Sequence, residues 1–266
     1  MLVVFALALS ACGGGAQPAT DPLAGAYLAV ASESAVPIAE RLTAAFAQLH
    51  PGMTWTVKDV GGAAAITLLN SGDADVGFVS RELSIADHRQ VQAIGLGFVG
   101  QVLIVHPANP VTTLSVDQLR GIFGGTITDW AEVGGATGPI LVFLRPESSP
   151  TREALDPLVR APAGTYRADA RSTPDAASML NAVGSSPRAI GMISALHLTA
   201  AAGAPRAIAV GDVVPTKANV ASGAYPYRRP VALILRADSG LVRPGAGAFR
   251  DVVHGEQGQR VLREFF

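Results

Sequence analysis

The residues best suited to chemistry lie in segment 138–158, where an arginine is followed by hydroxyl groups. Arg145 comes directly after the apolar run 140–144, and Ser149 and Thr151 precede helix-favouring residues. This order predicts a buried strand, a polar loop and a helix start. Because a helix N-terminus carries unpaired N–H groups, these side chains would suit a tetrahedral anion. The structural alternative is that Ser149 only caps the helix and Arg145 pairs with a surface carboxylate.

Catalytic and metal-binding patterns are weak in this sequence. Ser148 and Ser149 are conceivable nucleophiles, but there is no G-x-S-x-G turn and no histidine or acid at an informative spacing. The histidines occur singly, without an H-x-H or H-E-x-x-H pattern; they are His50, His88, His106, His197 and His254. The sequence therefore predicts neither an enzyme, nor a metal site, nor a cofactor.

Length and composition favour a well-packed α/β protein. The chain has 266 residues, of which 49% are hydrophobic and 15% charged, which excludes a disordered chain. This length favours two lobes. Because 20 basic residues face 21 acidic ones, no overall field attracts nucleic acid, and any preference for anions must be local.

The N-terminal segment 1–24 predicts a signal and a tether. Residues 1–11 form an apolar run too short to cross a bilayer, and Cys12, the single cysteine, follows small residues. This resembles a bacterial lipoprotein signal, in which the cysteine becomes lipid-modified. A buried N-terminal helix is the alternative, but the glycines at 13–15 would end it. We therefore expect attachment to a membrane through a lipid anchor only, with residues 13–24 as a flexible link.

Other strand ends also carry polar or small residues. The expected strand 26–31 is followed by Ser32, Glu33 and Ser34, and the strand 54–60 by a small-residue turn that contains Ala63. The strand 76–79 ends in a turn that contains Arg81. The carboxyl ends of strands in open α/β sheets meet at one crevice, which is where such folds bind ligands.

The glycines at 95–100 fit the dinucleotide-binding pattern G-x-G-x-x-G. Their context argues against that function, because the motif should follow a strand and open a helix, whereas here it leads into the apolar run 102–105. We expect these glycines to permit close backbone approach and a bend at the end of one lobe.

A family resemblance emerges from residues 114–135, LSVDQLRGIFGGTITDWAEVGG, together with several later segments. Residues 106–110, 190–193, 224–235 and 255–261 follow in the family's order and spacing. The chain resembles the phosphate-binding component of bacterial ABC phosphate importers, over nearly its whole length after the tether. The resemblance implies the type II periplasmic binding protein fold, an α/β fold of two lobes joined by two hinge crossings. The expected lobes are 25–104 with 231–266, and 105–230.

The resemblance also implies a site and partners. In that family, phosphate lies between the lobes and is held by backbone N–H groups, hydroxyls and an arginine. The expected partners are phosphate or another small oxyanion and an ABC permease, with a monomeric, lipid-anchored protein in the periplasm or cell envelope. For Arg81, a salt bridge on the lobe surface is the alternative. The positions matching the family's site are Ser32, Glu33, Ser34, Ala63, Arg81, Arg145, Ser149 and Thr151.

Three positions depart from the family pattern. Pro150 replaces a glycine and lacks an N–H donor, and Ala63 stands where a serine hydroxyl is usual. Glu33 replaces a small hydroxyl residue, and its carboxylate would repel a dianion unless one of them is protonated. At about 1.5 to 3 kcal/mol per charged hydrogen bond, losing two donors weakens binding by roughly two to four orders of magnitude. The alternatives are therefore another small anion, or a scaffold or signalling module without a ligand.

Overall fold

The computed structural model of the protein describes residues 21–160, 164–198 and 203–266. Cys12 and the expected signal lie outside these residues. No helix in the described part of the chain combines the length and apolar character needed to cross a membrane.

Helices and strands alternate along most of the chain. The strands are β1 (Gly25–Ala31), β2 (Met53–Asp59), β3 (Val76–Val79), β4 (Val91–Val105), β5 (Thr113–Leu114), β6 (Leu141–Leu144), β7 (Arg171–Ser172), β8 (Ala189–Ser194), β9 (Arg206–Ala207), β10 (Ala209–Val210) and β11 (Arg228–Arg236). The helices are α1 (Val36–Leu49), α2 (Gly62–Ser71), α3 (Ile85–His88), α4 (Val116–Gly124), α5 (Pro150–Val159), α6 (Ala176–Gly184), α7 (Lys217–Ser222), α8 (Pro244–His254) and α9 (Glu256–Phe265). Short 3-10 turns span Glu33–Ala35, Trp130–Val133, Ala195–His197 and Ser239–Leu241.

The first lobe is a sheet with helices on both faces. Its strand order is β2-β1-β3-β11-β4, with β1 parallel to its neighbours and β11 antiparallel to β3 and β4. Alternate residues of β1 enter different cores: Ala29 and Ala31 pack in the cluster that includes Phe46 of α1 and Phe249 of α8, whereas Val30 packs with α2. The period of two in the sequence thus separates the two faces of this sheet.

The second lobe is built on β8, β6 and β7, which continue the strand order from β4. One apolar cluster fills it, and Trp130 and Tyr225 are among its largest buried side chains. The indole N–H of Trp130 donates to the carbonyl of Arg188 at 2.8 Å, so its polar atom is satisfied. Ser115 caps α4, because its hydroxyl accepts from Gln118 N–H at the start of the helix.

The long strand β4 carries the chain from one lobe to the other. It pairs with β11 through Gly100 and with β8 from Gln101 onward. Val99 lies in the first-lobe core and Val102 in the second. On the return path, Tyr227 accepts a backbone hydrogen bond from Gln101 at 2.8 Å just before β11 begins. The pairing partner of β4 thus changes between Gly100 and Gln101. The lobe boundaries predicted at 104/105 and 230/231 lie further along the chain than these changes of partner, because nothing in the composition of a continuous strand marks the crossing.

The glycines at 95–100 lie inside β4. Gly97 has φ +155°, and a side chain there would collide with the ring of Phe266 at 2.6 Å. The pairing register with β11 shifts between Val231 and Ala232, opposite this stretch. The glycines thus admit the C-terminal aromatic ring and an irregularity in the strand, which argues further against a dinucleotide loop.

Candidate functional site

Arg145 is the buried cation of the cleft between the lobes. It follows β6 directly and is only 2% exposed. One terminal nitrogen donates to Glu33 Oε2 at 2.7 Å and to the carbonyl of Pro174 at 3.1 Å. Its Nε has no partner among the described residues. A desolvated guanidinium is an efficient anion-binding group, because its planar donors match an oxyanion.

Glu33 reaches Arg145 from the opposite lobe. It lies in the 3-10 turn after β1, and its second oxygen accepts from Ala176 N–H at 2.7 Å. Ala176 is the first residue of α6, so the carboxylate sits at the positive end of a helix dipole. The chain's own carboxylate thus takes the donors that an external anion would need. An external anion would therefore be repelled by Glu33 and would also compete with Glu33 for Arg145.

Ser32 and Ser34 are both 2% exposed in the same turn as Glu33. The Ser32 hydroxyl accepts from Ser80 N–H at 3.0 Å, which joins the loop after β1 to the loop after β3. The Ser80 hydroxyl is also buried and has no partner among the described residues. Three buried hydroxyl residues therefore lie in these two joined loops of the first lobe.

The second-lobe side is the start of α5. Ser149 is the N-cap residue, yet its hydroxyl makes no capping bond and has no partner in the described part of the chain. Thr151 donates to Gln101 Oε1 at 2.8 Å, which leaves the buried amide nitrogen of Gln101 without a partner there. Pro150 occupies the first helical position, where its missing N–H costs the helix nothing but leaves the loop one donor short.

Among the described residues, neither Ala63 nor Arg81 forms a hydrogen bond with Arg145 or Glu33. Ala63 is exposed in the first turn of α2 and offers only backbone. Arg81 runs along the start of α2, where a Cβ on Gly62 would be 3.4 Å from its Nε. Its terminal nitrogen donates to Asp87 Oδ2 at 2.8 Å, so its charge is compensated. The salt bridge weighed as the alternative for Arg81 is the arrangement that the structure has.

Several site residues were not identified from sequence. Ser80 directly follows β3 and Ser194 is the last residue of β8. Gln101 lies opposite Ser194 in the antiparallel pair, so these two side chains face the same side of the sheet. The hydroxyls of Ser80 and Ser194 are unpartnered within the described ranges. The available signal was position, since each serine is the first polar residue after an apolar run.

Two further titratable groups lie near the Glu33–Arg145 pair. Burial lowers the pKa of the His197 imidazole, and Glu33 partly offsets this while Arg145 adds to it. Asp59 keeps one side open to solvent, but partial burial raises the pKa of its carboxyl, and Glu33 raises it further. The cleft therefore favours a neutral His197 and makes Asp59 easier to protonate. No cluster of three metal-ligating side chains exists among the residues described.

Comparison with known proteins places this architecture in a family. A family model described as a PBP superfamily domain matches residues 16–256. The phosphate-binding protein PstS of Bacillus subtilis is 24% identical over 238 residues, covering 85% of this chain and 78% of that protein. PstS 2 of Streptococcus pneumoniae strain TIGR4 is 28% identical over 111 residues, covering 42% of this chain and 38% of that protein.

Solved structures agree with the sequence relatives. A Clostridium perfringens structure, described as a phosphate ABC transporter substrate-binding protein with bound phosphate, superposes with a TM-score of 0.78 at 26% identity. It covers 90% of this chain and 97% of that one. An ABC-type phosphate transport receptor from Vibrio cholerae has a TM-score of 0.68 at 28% identity, covering 90% and 98%. The relatives are named as binding proteins or transport receptors, not as enzymes. The chain itself belongs to the PBP superfamily and has the type II periplasmic binding protein fold.

Proposed function

We propose that this chain is the substrate-binding protein of an ABC importer and binds phosphate or a similar small oxyanion between its lobes. The observation that carries the proposal is the buried Arg145 guanidinium, which together with Ala176 N–H already holds an oxyanion, the carboxylate of Glu33. The phosphate-related names of relatives with the same fold support the choice of ligand. The protein would act as a monomer in the periplasm or cell envelope.

Ligand binding must displace Glu33 or place a protonated ligand oxygen beside it. Glu33 is tethered in the site, so it competes at a high effective concentration. Its side chain is 21% exposed against 3% for Arg145, so the carboxylate is the partner nearer to solvent. Movement of the short Glu33–Ala35 turn would free both donors while Arg145 stays in place. We therefore expect weak binding, with affinity set by the competition as much as by the remaining donors.

The same contact favours a second candidate, a scaffold or signalling module without a ligand. The two lobes are joined through Glu33, Arg145 and Ala176 by bonds internal to the protein. A buried charge pair of this kind costs several kcal/mol to break by removing one partner. In this role the protein would stay closed whatever the anion concentration.

Titration calorimetry on the soluble form 13–266 separates the two candidates. Phosphate, sulfate and small carboxylates are titrated into the wild-type protein and into the Arg145→Ala variant. Heat with phosphate that disappears in the variant supports the receptor. If none of these anions produces heat, the receptor proposal is wrong and the scaffold is favoured. Heat with sulfate or a carboxylate but none with phosphate would keep the receptor and change its ligand.

The lipid anchor at Cys12 belongs to the same proposal and has its own test. Its support is the sequence pattern before Cys12, since the residue lies outside the described ranges. The full chain expressed in a bacterium should appear in the membrane fraction and carry a diacylglyceryl mass at Cys12. The Cys12→Ala variant should lose that modification. An unmodified Cys12 in the mature wild-type protein would overturn this part of the proposal.

A further inference from the structure

Arg229 makes a second connection between the lobes, separate from the Glu33–Arg145 pair. Its Nε donates to the carbonyl of Ser80 at 2.8 Å, at the end of β3 in the first lobe. One terminal nitrogen donates to the carbonyl of Pro150 at 3.0 Å, at the start of α5 in the second lobe. The side chain is 11% exposed. One guanidinium therefore holds the backbone of two of the loops that carry the hydroxyls of the candidate site.

The backbone of Arg229 is itself fixed at the crossing between the lobes. It lies near the start of β11, opposite Val99 in the antiparallel pair with β4. The planar guanidinium has little internal freedom, so carbonyls bound to two of its nitrogens are held at a set separation. Ser80 and Ser149 carry the unpartnered hydroxyls of these two loops. Their spacing across the cleft thus depends on a side chain that starts at the hinge.

The remaining contact of Arg229 is the weaker one. The same terminal nitrogen lies 3.2 Å from Glu153 Oε2, but the Glu153 side chain is 72% exposed. Exposed ion pairs of this kind add little to stability. The two carbonyl contacts, which are short and lie in separate lobes, define the arrangement.

We propose that Arg229 is a positioning residue that sets the spacing of the Ser80 and Ser149–Thr151 loops and thereby the geometry of the oxyanion site. It does not touch the ligand and acts through the two carbonyls. The effect of Arg229 on ligand binding rests on the proposed function, whereas its positioning of the two loops does not depend on it.

Arg228 provides a matched control next to Arg229. Its guanidinium donates to the carbonyls of Val220 and Ala221 at 2.7 Å each and stacks over the ring of Phe98 at 3.9 Å. None of these groups belongs to the two site loops. Removing this neighbouring positive charge therefore tests for a general electrostatic or folding effect.

The experiment compares Arg229→Gln, Arg229→Lys and Arg228→Gln in the soluble form 13–266. Lysine keeps the charge but is a single point donor that cannot hold both carbonyls in the guanidinium geometry. We expect both Arg229 variants to raise the phosphate Kd at least about tenfold and to speed hydrogen exchange at amides 80–84, 149 and 151–153, because charged hydrogen bonds are lost. Arg228→Gln should leave both measurements within about twofold.

Each outcome decides the inference. Unchanged exchange in both loops of Arg229→Gln overturns it, as does a Kd retained by Arg229→Lys, since charge alone would then suffice. A lower melting temperature with an unchanged phosphate Kd reduces Arg229 to a structural role and also overturns it. If the wild-type protein binds no anion, the proposed function fails, and the exchange of the two loops alone decides whether Arg229 positions them.

Discussion

The carboxylate of Glu33 lies 2.7 Å from the guanidinium of Arg145, across the cleft and 112 positions away in sequence. Through this contact the protein supplies an oxyanion to its own candidate anion site. Arg145 is nearly fully buried, so it needs a negative partner in any closed arrangement. Glu33 and an external anion are thus alternatives for the same donors, and the relation between them can be tested by substitution.

Glu33→Ala should strengthen phosphate binding. The change frees Arg145 and Ala176 N–H, and regaining even one charged hydrogen bond is worth at least about tenfold in Kd. Phosphate should also raise the melting temperature of the variant more than that of the wild type, since ligand binding stabilises by mass action. Glu147→Gln is the control, because Glu147 is 91% exposed near the same loop and does not contact Arg145 in the structure. An unchanged Kd in Glu33→Ala would contradict the competition.

A double-mutant cycle should detect strong coupling between Glu33 and Arg145. Arg145→Ala is expected to cost about 3 to 5 kcal/mol in the free energy of unfolding, because it leaves a carboxylate without its buried partner. The double variant should cost less than the sum of the single changes by about 1 to 3 kcal/mol. Urea unfolding of the four proteins in anion-poor buffer measures this. Additive effects would mean that the pair contributes nothing beyond its separate residues.

Arg81→Ala should leave the phosphate Kd unchanged within about twofold. Its guanidinium is engaged by Asp87, whose pKa is held far below its usual range, first by the hydrogen bond from Arg81. The expected cost is in stability, about 0 to 1 kcal/mol, because the pair is partly exposed. Calorimetry with phosphate checks the first statement and urea unfolding the second. A large loss of affinity in Arg81→Ala would instead show that Arg81 contributes to phosphate binding.

The strand ends and the family could be predicted from the sequence, but the side-chain partners could not. The expected strands at 26–31 and 76–79 both fall in strands of the structure, because short apolar segments ending in polar residues leave few alternatives. Whether Ser80 or Arg81 belongs to the candidate site depends on which side chain points into the cleft, and the composition of the segment does not determine this. The Glu33–Arg145 contact depends on how far two lobes approach, which no local pattern encodes.

His197 should make stability depend on pH. Burial lowers its pKa in the folded protein, so the unfolded chain binds a proton first as the pH falls. The free energy of unfolding therefore decreases below the unfolded pKa of about 6.5. Asp59 acts with the opposite sign, because its raised pKa favours the folded protein at low pH and that contribution is lost as the pH rises. Between about pH 8 and about pH 5, the melting temperature of His197→Gln should fall less than that of the wild type. An identical loss in both proteins would exclude His197 as the cause.

Pro150→Gly should tighten phosphate binding by restoring a backbone donor at the start of α5. Pro150 is the first helical residue, directly after Ser149, whose hydroxyl has no partner among the described residues. An N–H at this position would point toward the helix N-terminal end, where an anion is favoured. We expect a gain of up to about tenfold in Kd, from one added hydrogen bond to a charged group, with a loss of about 0.4 to 1 kcal/mol in stability from the more flexible unfolded chain. Pro150→Ala is the matched variant, since it restores the same donor without the freedom of glycine. If neither variant binds phosphate more tightly than the wild type, the missing N–H at position 150 does not limit affinity.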